Sequence, residues 1–168
     1  MINNNRIQYE QIAVLAVYIF NNQEMFGETD GECMAMCYGN LLEDCIVQMQ
    51  KEERFKKFLI NEDGIWGIFE NKSPYVMDNV RASAERIRER MRFGTGKQGN
   101  KRMHNSDEKN GFTVGMGLAA GMGCRVILHG EEDSLEEVWF GNVFGRAKEL
   151  AYMSVCEGHG QILTKTRF

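Results

Sequence analysis

The sequence predicts an α/β domain in which a mixed sheet is covered by helices on one face. Three observations support this fold class. Residues 11–20 (QIAVLAVYIF) form a continuous apolar, β-branched run, which is typical of a strand buried on both faces. Residues 55–70 contain two apolar runs joined by a polar Asp-Gly turn, which is the pattern of a β-hairpin. Two longer segments, 30–50 and 74–92, carry apolar residues at helical spacing.

Size and composition predict one globular domain spanning residues 1–168. Of the 168 residues, 43% are apolar and one is proline. The net charge of -4 and the pI near 5.5 argue against a role in binding nucleic acid. The first apolar run is too short to span a bilayer, and the polar residues before it do not resemble a signal peptide. We therefore expect a soluble, cytoplasmic protein whose partners include neither a membrane nor nucleic acid.

The first helix is predicted at residues 30–50, where Thr29 and Glu32 form a capping box. The five cysteines are an odd number in a chain without an export signal, so we expect reduced thiols. Cys33 and Cys37 lie four residues apart, a spacing that allows a shared soft metal. No further Cys or His nearby completes such a set, so we expect both cysteines to pack in the core.

The hairpin is predicted to have strands near 55–60 and 65–70, with Glu62, Asp63 and Gly64 between them. Glycine supplies the positive φ that such a turn requires. Two interpretations of Asp63 remain open: a residue that only makes the turn, or a carboxylate that binds a hard cation such as Mg²⁺ from a rigid support. We expect Asp63 at the exposed tip of the hairpin.

The second helix is predicted at 74–92, where a Ser-Pro pair forms the N-cap and the first turn. Residues 94–110 lack periodicity and are predicted to form a mobile loop. Residues 112–128 alternate apolar side chains and are predicted to form a second hairpin that turns at Gly121–Gly123. The remaining predicted elements are a short strand at 137–140, a helix at 142–155 and a strand at 160–168.

This layout and three of its motifs resemble the catalytic domain of class III nucleotidyl cyclases. INEDGIWGIFE (60–70) resembles the family's G-D-G hairpin, and VGMGLAAGMG (114–123) resembles the strand and glycine-rich turn after the second helix. WFGNVFGRAKELA (139–151) resembles the stretch that carries base-contacting and transition-state residues. The match spans about residues 11–166. It implies a ferredoxin-like palm that pairs head to tail and binds a nucleoside triphosphate at the dimer interface.

The resemblance also implies where metal would bind. Asp63 falls on the second of the family's two metal-binding aspartates, and Tyr18 falls on the first. Cyclisation uses two metal ions that activate the 3′-hydroxyl and hold the departing pyrophosphate. With one aspartate replaced, Asp63 and the neighbouring Glu62 are expected to hold at best one Mg²⁺ or Mn²⁺ together with a nucleoside triphosphate.

Four further positions depart from the family's pattern. Leu59 stands at the base-selecting lysine, and Val138 stands at the acidic residue that precedes the F-G step. Gly145 stands at the transition-state asparagine, and Glu149 reverses the charge of the transition-state arginine. Since the loss of one preorganised donor costs about a hundredfold in rate, these departures predict the loss of ordinary cyclase activity.

Two functional hypotheses remain open. The one we favour is a cyclase-homology domain without ordinary activity that acts as a nucleotide-binding, regulatory or dimerisation module, as a homodimer or with an intact cyclase domain. A homodimer is expected because an isolated palm leaves one apolar sheet face open to water. The alternative is an active nucleotidyl cyclase, a phosphorus-oxygen lyase, with an atypical metal and base site. The candidates for nucleotide binding are Tyr18, Asn142, Arg146 and Lys148, although the last two also suit a solvated helix face.

Overall fold

The computed structural model describes residues 6–20, 31–93, 112–131, 134–156 and 163–165. Within these ranges, six strands and three helices follow one another in the order β-α-β-β-α-β-β-α-β. Their bounds are β1 Ile7–Ile19, α1 Gly31–Gln50, β2 Phe55–Asn61, β3 Gly64–Glu70, α2 Val76–Phe93, β4 Val114–His129, β5 Leu135–Phe140, α3 Asn142–Cys156 and β6 Leu163–Lys165.

β1 lies at the centre of the sheet, as its continuous apolar run predicts. The strand order is β2-β3-β1-β4-β5 with antiparallel pairing, and β6 pairs with β4 in the parallel direction. The sheet is therefore mixed, and the predicted palm fold is confirmed. The predicted first hairpin is also confirmed, because β2 and β3 pair up to Asn61 and Gly64.

Helices cover both faces of the sheet, which corrects the expectation that all of them lie on one face. Ala13, Leu15 and Val17 of β1 belong to the core formed with α1 and α2. Val14 and Ala16 belong to a second core formed with α3. A central strand that is apolar on both sides requires cover on both sides. Helical spacing reveals the buried side of a helix but not the sheet face that it meets, which is why the prediction failed.

The glycine-rich segment of β4 is one continuous strand, so the predicted turn at Gly121–Gly123 is wrong. β4 pairs with β1 from Val114 to Val126. Its glycines allow neighbouring elements to approach: a Cβ added at Gly117 would lie 2.1 Å from the carbonyl oxygen of Ala147 in α3. Glycine at this position therefore serves close packing between a helix and a strand rather than chain reversal.

The three predicted helices are confirmed, with bounds that differ from the predictions by one or two residues. None of these described helices is long and apolar enough to cross a membrane. The predicted loop at 94–110 lies outside the described residues, as do all but 163–165 of the predicted final strand.

All five cysteines are free thiols, as predicted. Their burial differs from the expectation, because Cys45 is buried while Cys33 is exposed and Cys37 is only half-buried. α1 directs Met34 and Cys45 into the protein, so the side of its first turns that carries Cys33 faces solvent. Core packing is therefore the wrong role for Cys33.

Gly117→Ala is expected to lower the free energy of unfolding by about 1–3 kcal/mol, the usual cost of overpacking. The added methyl group would meet the α3 backbone, which cannot move aside without leaving the sheet. Gly39→Ala in α1 is the matched control, because a Cβ there has nothing within 4 Å. This variant should raise the free energy of unfolding by about 1 kcal/mol, since alanine favours the helix more than glycine does. Urea unfolding followed by circular dichroism measures both changes. Equal stability of Gly117→Ala and the parent protein would contradict the close approach.

Candidate functional site

The β2–β3 turn is fixed against the end of β1 by backbone contacts. Gly64 has a φ of +141°, and a Cβ there would lie 2.1 Å from the carbonyl oxygen of Val17, so only glycine fits. The amide of Ile19 donates to the carbonyl of Asp63 over 2.7 Å. The amide of Asp63 donates to the side-chain oxygen of Asn61 over 2.8 Å. The Asp63 carboxylate therefore extends from a well-held backbone.

Asp63 lies in the turn but is half-buried, which corrects the expectation of a fully exposed tip. Tyr38 of α1 reaches this turn, because its hydroxyl donates to the carbonyl of Asn61 over 2.7 Å. Burial raises the pKa of Tyr38, and the nearby charges of Asp63 and Glu62 raise it further. Both carboxylates therefore lie close enough to α1 to act electrostatically on its tyrosine, although Glu62 itself is exposed.

Tyr18 lies beside this turn at the end of β1, where it pairs with Gly64 on one side and Gly115 on the other. Its ring contacts those of Phe20 and Trp66, with centroids 4.5 Å and 5.9 Å away. The ammonium nitrogen of Lys148 lies 4.9 Å from the centroid of the Tyr18 ring. This distance is typical of a cation–π contact. A positive charge from α3 is thus held over the position where the family resemblance implies a metal-binding carboxylate.

A cavity of about 460 Å³ opens between the end of β1 and α3. Its size is in the range of small-molecule sites. Three aromatic rings, one ammonium group and one carboxylate line it, so it offers both stacking surfaces and charge. The lining residues are Tyr18, Phe20, Gly145, Lys148, Glu149 and Tyr152.

Two of the four predicted nucleotide-binding residues, Tyr18 and Lys148, meet in this cavity. The other two do not line it: Asn142 is exposed at the first residue of α3, and Arg146 is half-buried. Sequence reasoning missed Phe20 and Tyr152. Tyr152 could have been found, because it follows Lys148 by four residues and therefore lies on the same side of the helix.

The two positions where the resemblance implies base selection carry apolar side chains in the fold. Leu59 is half-buried and packs against the core on the α3 face. Val138 is half-buried in β5. Neither side chain has a hydrogen-bonding group, so neither can read the polar edge of a base.

Asp63 and Glu62 supply oxygen donors for at most one hard cation. Asp63 and Glu62 are adjacent in the turn, and carboxylate oxygens suit Mg²⁺ or Mn²⁺. Within the described parts of the chain, no group of three or more His, Cys, Asp or Glu side chains is placed to hold a metal. The Lys148 ammonium at Tyr18 also opposes a second divalent ion there. A single ion at Asp63 would keep most of its water ligands.

No family model matches the chain, and no curated protein matches it. Solved structures do. A bacterial light-regulated adenylyl cyclase matches with a TM-score of 0.66 and 12% identity over 88% of this chain and 41% of that one, so the chain spans less than half of that relative. The adenylyl cyclase CyaB from P. aeruginosa matches with a TM-score of 0.65 and 15% identity over 87% of this chain and 73% of that one. The guanylate cyclase domain of RhGC from Catenaria anguillulae, solved in complex with GTP, has a TM-score of 0.65 and 16% identity over 86% and 74% of the two chains.

These similarities establish the fold. The chain has the palm of class III adenylyl and guanylyl cyclase domains, as its motifs predicted. Identities of 12–16% show shared architecture and do not carry activity from one chain to another. The function must therefore be argued from the residues of the site.

Tyr38→Phe is expected to lower the free energy of unfolding at neutral pH by about 1 kcal/mol, because the hydrogen bond to Asn61 is lost. The folded protein binds the Tyr38 proton more tightly than the unfolded chain does. The contribution of Tyr38 to the free energy of unfolding is therefore complete below about pH 10 and declines as the pH rises above that value. The variant should lose less stability than the parent above that pH.

Urea unfolding of the parent and of Tyr38→Phe at a series of pH values measures this difference. Tyr75→Phe removes the hydroxyl of an exposed tyrosine outside the site and serves as the control. An identical alkaline decline in all three proteins would contradict the role of Tyr38 at the turn.

Proposed function

We propose that the chain is a cyclase-homology domain that binds a nucleoside triphosphate in the cavity beside Tyr18 but does not cyclise it, and that it works as a dimeric regulatory module. The contact between Lys148 and Tyr18 carries this proposal. At the position where the family resemblance implies a negatively charged metal ligand, this chain has the neutral ring of Tyr18, and the Lys148 ammonium group lies over that ring. The positive charge favours the binding of a phosphate group beside Tyr18 and opposes the binding of a second metal ion there.

The residues around the cavity argue against cyclisation. The reaction requires activation of the 3′-hydroxyl and stabilisation of the charge that develops on the departing pyrophosphate. Glu149 lines the cavity where the family resemblance implies an arginine, so it repels that charge. Gly145 also lines the cavity and offers no side chain to the transition state. Among the described residues that line the cavity, Lys148 is the only cation, and it cannot replace both a second metal ion and the arginine.

The same residues suit binding. Tyr18, Phe20 and Tyr152 present aromatic rings on which a base can stack without polar selection. Lys148 can donate to phosphate oxygens. Asp63, held at the neighbouring turn, can retain one Mg²⁺ or Mn²⁺ that the phosphates share. These groups should bind a nucleoside triphosphate more tightly than a nucleoside. They should discriminate only weakly among the four bases.

Addition of ATP, GTP, CTP or UTP with Mn²⁺ is expected to raise the melting temperature of the protein, and no cyclic nucleotide should form. Lys148→Ala should weaken binding because it removes a charged hydrogen bond worth about 1.5–3 kcal/mol, or about 10- to 100-fold in Kd. Lys72→Ala removes an exposed lysine that pairs with Glu70 and is the control. Calorimetric titration measures Kd, and chromatography detects any cyclic product.

Asp63→Ala separates the two interpretations of the turn carboxylate. If Asp63 binds the ion, the variant loses the part of the thermal shift that depends on Mn²⁺. An unchanged shift would leave Asp63 as a turn residue only. A cyclic product that disappears in Asp63→Ala would overturn the proposal and favour the alternative, an active cyclase with an atypical site.

The dimer is supported by an uncovered apolar surface on the α1–α2 face of the sheet. Pairing places Tyr9 opposite Cys124, and Cys124 opposite Phe140, so these side chains share one face across three strands. This face continues the core beneath α1 and α2 but lies beyond their reach. We call it the apolar patch; its exposed large residues are Ile7, Tyr9, Met122, Leu128 and Phe140. A contiguous patch of this kind suits the self-complementary interface of a two-fold dimer.

The chain is expected to sediment as a dimer at micromolar concentration, and Tyr9→Lys should shift it towards a monomer. Tyr9 is 70% exposed, so the change should leave the fold intact while placing a charge in the apolar patch. Leu135→Lys is the matched control, because Leu135 is 62% exposed and its pairing with His129 places it on the other face. Analytical ultracentrifugation measures both. A monomeric parent protein, or equal dissociation of the two variants, would contradict the interface.

A further inference from the structure

The first two turns of α1 carry three sulfur-containing side chains that are exposed or half-buried. Cys33 is exposed, Cys37 is half-buried, and Met36 between them is 62% exposed. An exposed methionine of this kind has little packing role. By contrast, Met34 and Cys45 of the same helix are buried, and burial raises the pKa of the Cys45 thiol to about 12. The sulfur residues of α1 therefore divide into a core set and a surface set.

The surface set lies on one side of the helix. Met36 follows Cys33 by three residues and Cys37 follows it by four, and residues at these spacings are neighbours on a helix surface. Cys33 is near enough to Cys37 to contribute, after burial, to raising the pKa of the Cys37 thiol. The spacing of four residues puts the Cβ atoms of Cys33 and Cys37 about 5–6 Å apart, a separation that one ion can bridge through both sulfur atoms, and the exposed Met36 lies on the same turn.

We propose that Cys33, Met36 and Cys37 form a three-sulfur site for monovalent copper. Soft thiolate and thioether donors select Cu(I), whereas Mg²⁺, Ca²⁺ and Mn²⁺ prefer oxygen. Zn²⁺ in a structural site takes four nitrogen, sulfur or carboxylate ligands. In the described residues no third His, Cys, Asp or Glu is placed to join the two cysteines, so the set suits a soft ion of low coordination number.

Protons and charge balance in the binding step. Cu(I) replaces the two thiol protons, which pass to solvent, so that two thiolates and one monovalent ion leave a single net negative charge. Cys33 lies in the first turn of α1, where the helix dipole favours negative charge.

The test is titration of the reduced protein, free of oxygen, with Cu(I) supplied as its acetonitrile complex and in competition with a chromophoric Cu(I) chelator. One equivalent per chain is expected. Cys33→Ser and Cys37→Ser should each weaken binding by more than about a hundredfold, since loss of even an outer-shell partner costs about 10- to 100-fold. Met36→Leu keeps size and apolarity and should weaken binding by about tenfold. The double variant Cys124→Ser with Cys156→Ser should match the parent protein.

X-ray absorption at the copper edge should show three sulfur atoms around each ion in the parent protein and two in Met36→Leu. Circular dichroism of every variant checks that α1 remains folded. Unchanged affinity in Cys33→Ser or Cys37→Ser would overturn the site. A Met36→Leu variant that equals the parent in affinity and sulfur count would overturn the three-sulfur set. Retention of Zn²⁺ in preference to Cu(I) would overturn the assignment of the metal.

Discussion

The close approach of the α3 backbone to the glycines of β4 determines where the side chains of the candidate site lie. A Cβ at Gly115 or Gly117 would lie 2.1 Å from a carbonyl oxygen of α3, that of Ala151 or Ala147 respectively. Larger residues on β4 would lift the helix from the sheet. Because α3 lies so low, Lys148 reaches the ring of Tyr18 at the end of β1. The cavity and its positive charge therefore depend on glycine at these two positions of β4.

The site has charges of both signs at separate positions. The Lys148 ammonium is held at Tyr18, while Asp63 and Glu62 lie at the neighbouring turn and Glu149 lines the cavity. A cation alone would be repelled by the ammonium group, and an anion alone would be repelled by the carboxylates. A nucleoside triphosphate carrying one divalent ion presents both signs, so it can satisfy the ammonium with phosphate and the turn with metal. The arrangement that argues against two-metal cyclisation thus remains compatible with binding.

The sequence predicted local features of the fold well because their signals are local. The Asp-Gly turn specified the β2–β3 hairpin, and the helical spacing of apolar residues specified α1, α2 and α3. Two of the errors, the turn at residues 121–123 and the single covered face of the sheet, concern partners distant in sequence. Glycines in residues 121–123 suggest a turn, yet a Cβ at Gly123 would lie 2.4 Å from the Ile12 side chain across the sheet. Which face of the sheet α3 covers likewise depends on β4, about thirty residues earlier in the chain.

The candidate site shows the same division. Its carboxylate turn and its lysine could be named from motifs, whereas Phe20 and Tyr152 join the cavity only through the packing of α3 on β1. The cysteines of α1 follow this rule as well. Residue type predicted burial for Cys33 and Cys37, but the orientation of the helix leaves the first exposed and the second half-buried.

The end of the sheet that carries β5 differs sharply between its two faces, and this difference supports a partner on one of them. The α3-side face carries Glu10 paired with Lys56, and Arg125 paired with Glu137. Lys56 and Arg125 also lie 5.8 Å and 5.9 Å from the ring of Trp139. Such a charged network is compatible with water. The apolar patch on the reverse of the same strands has exposed hydrophobic side chains instead. Since alternation places Glu10, Arg125 and Glu137 on the same strands as the patch, general exposure of the sheet end does not explain the patch, whereas the proposed burial against a second chain would.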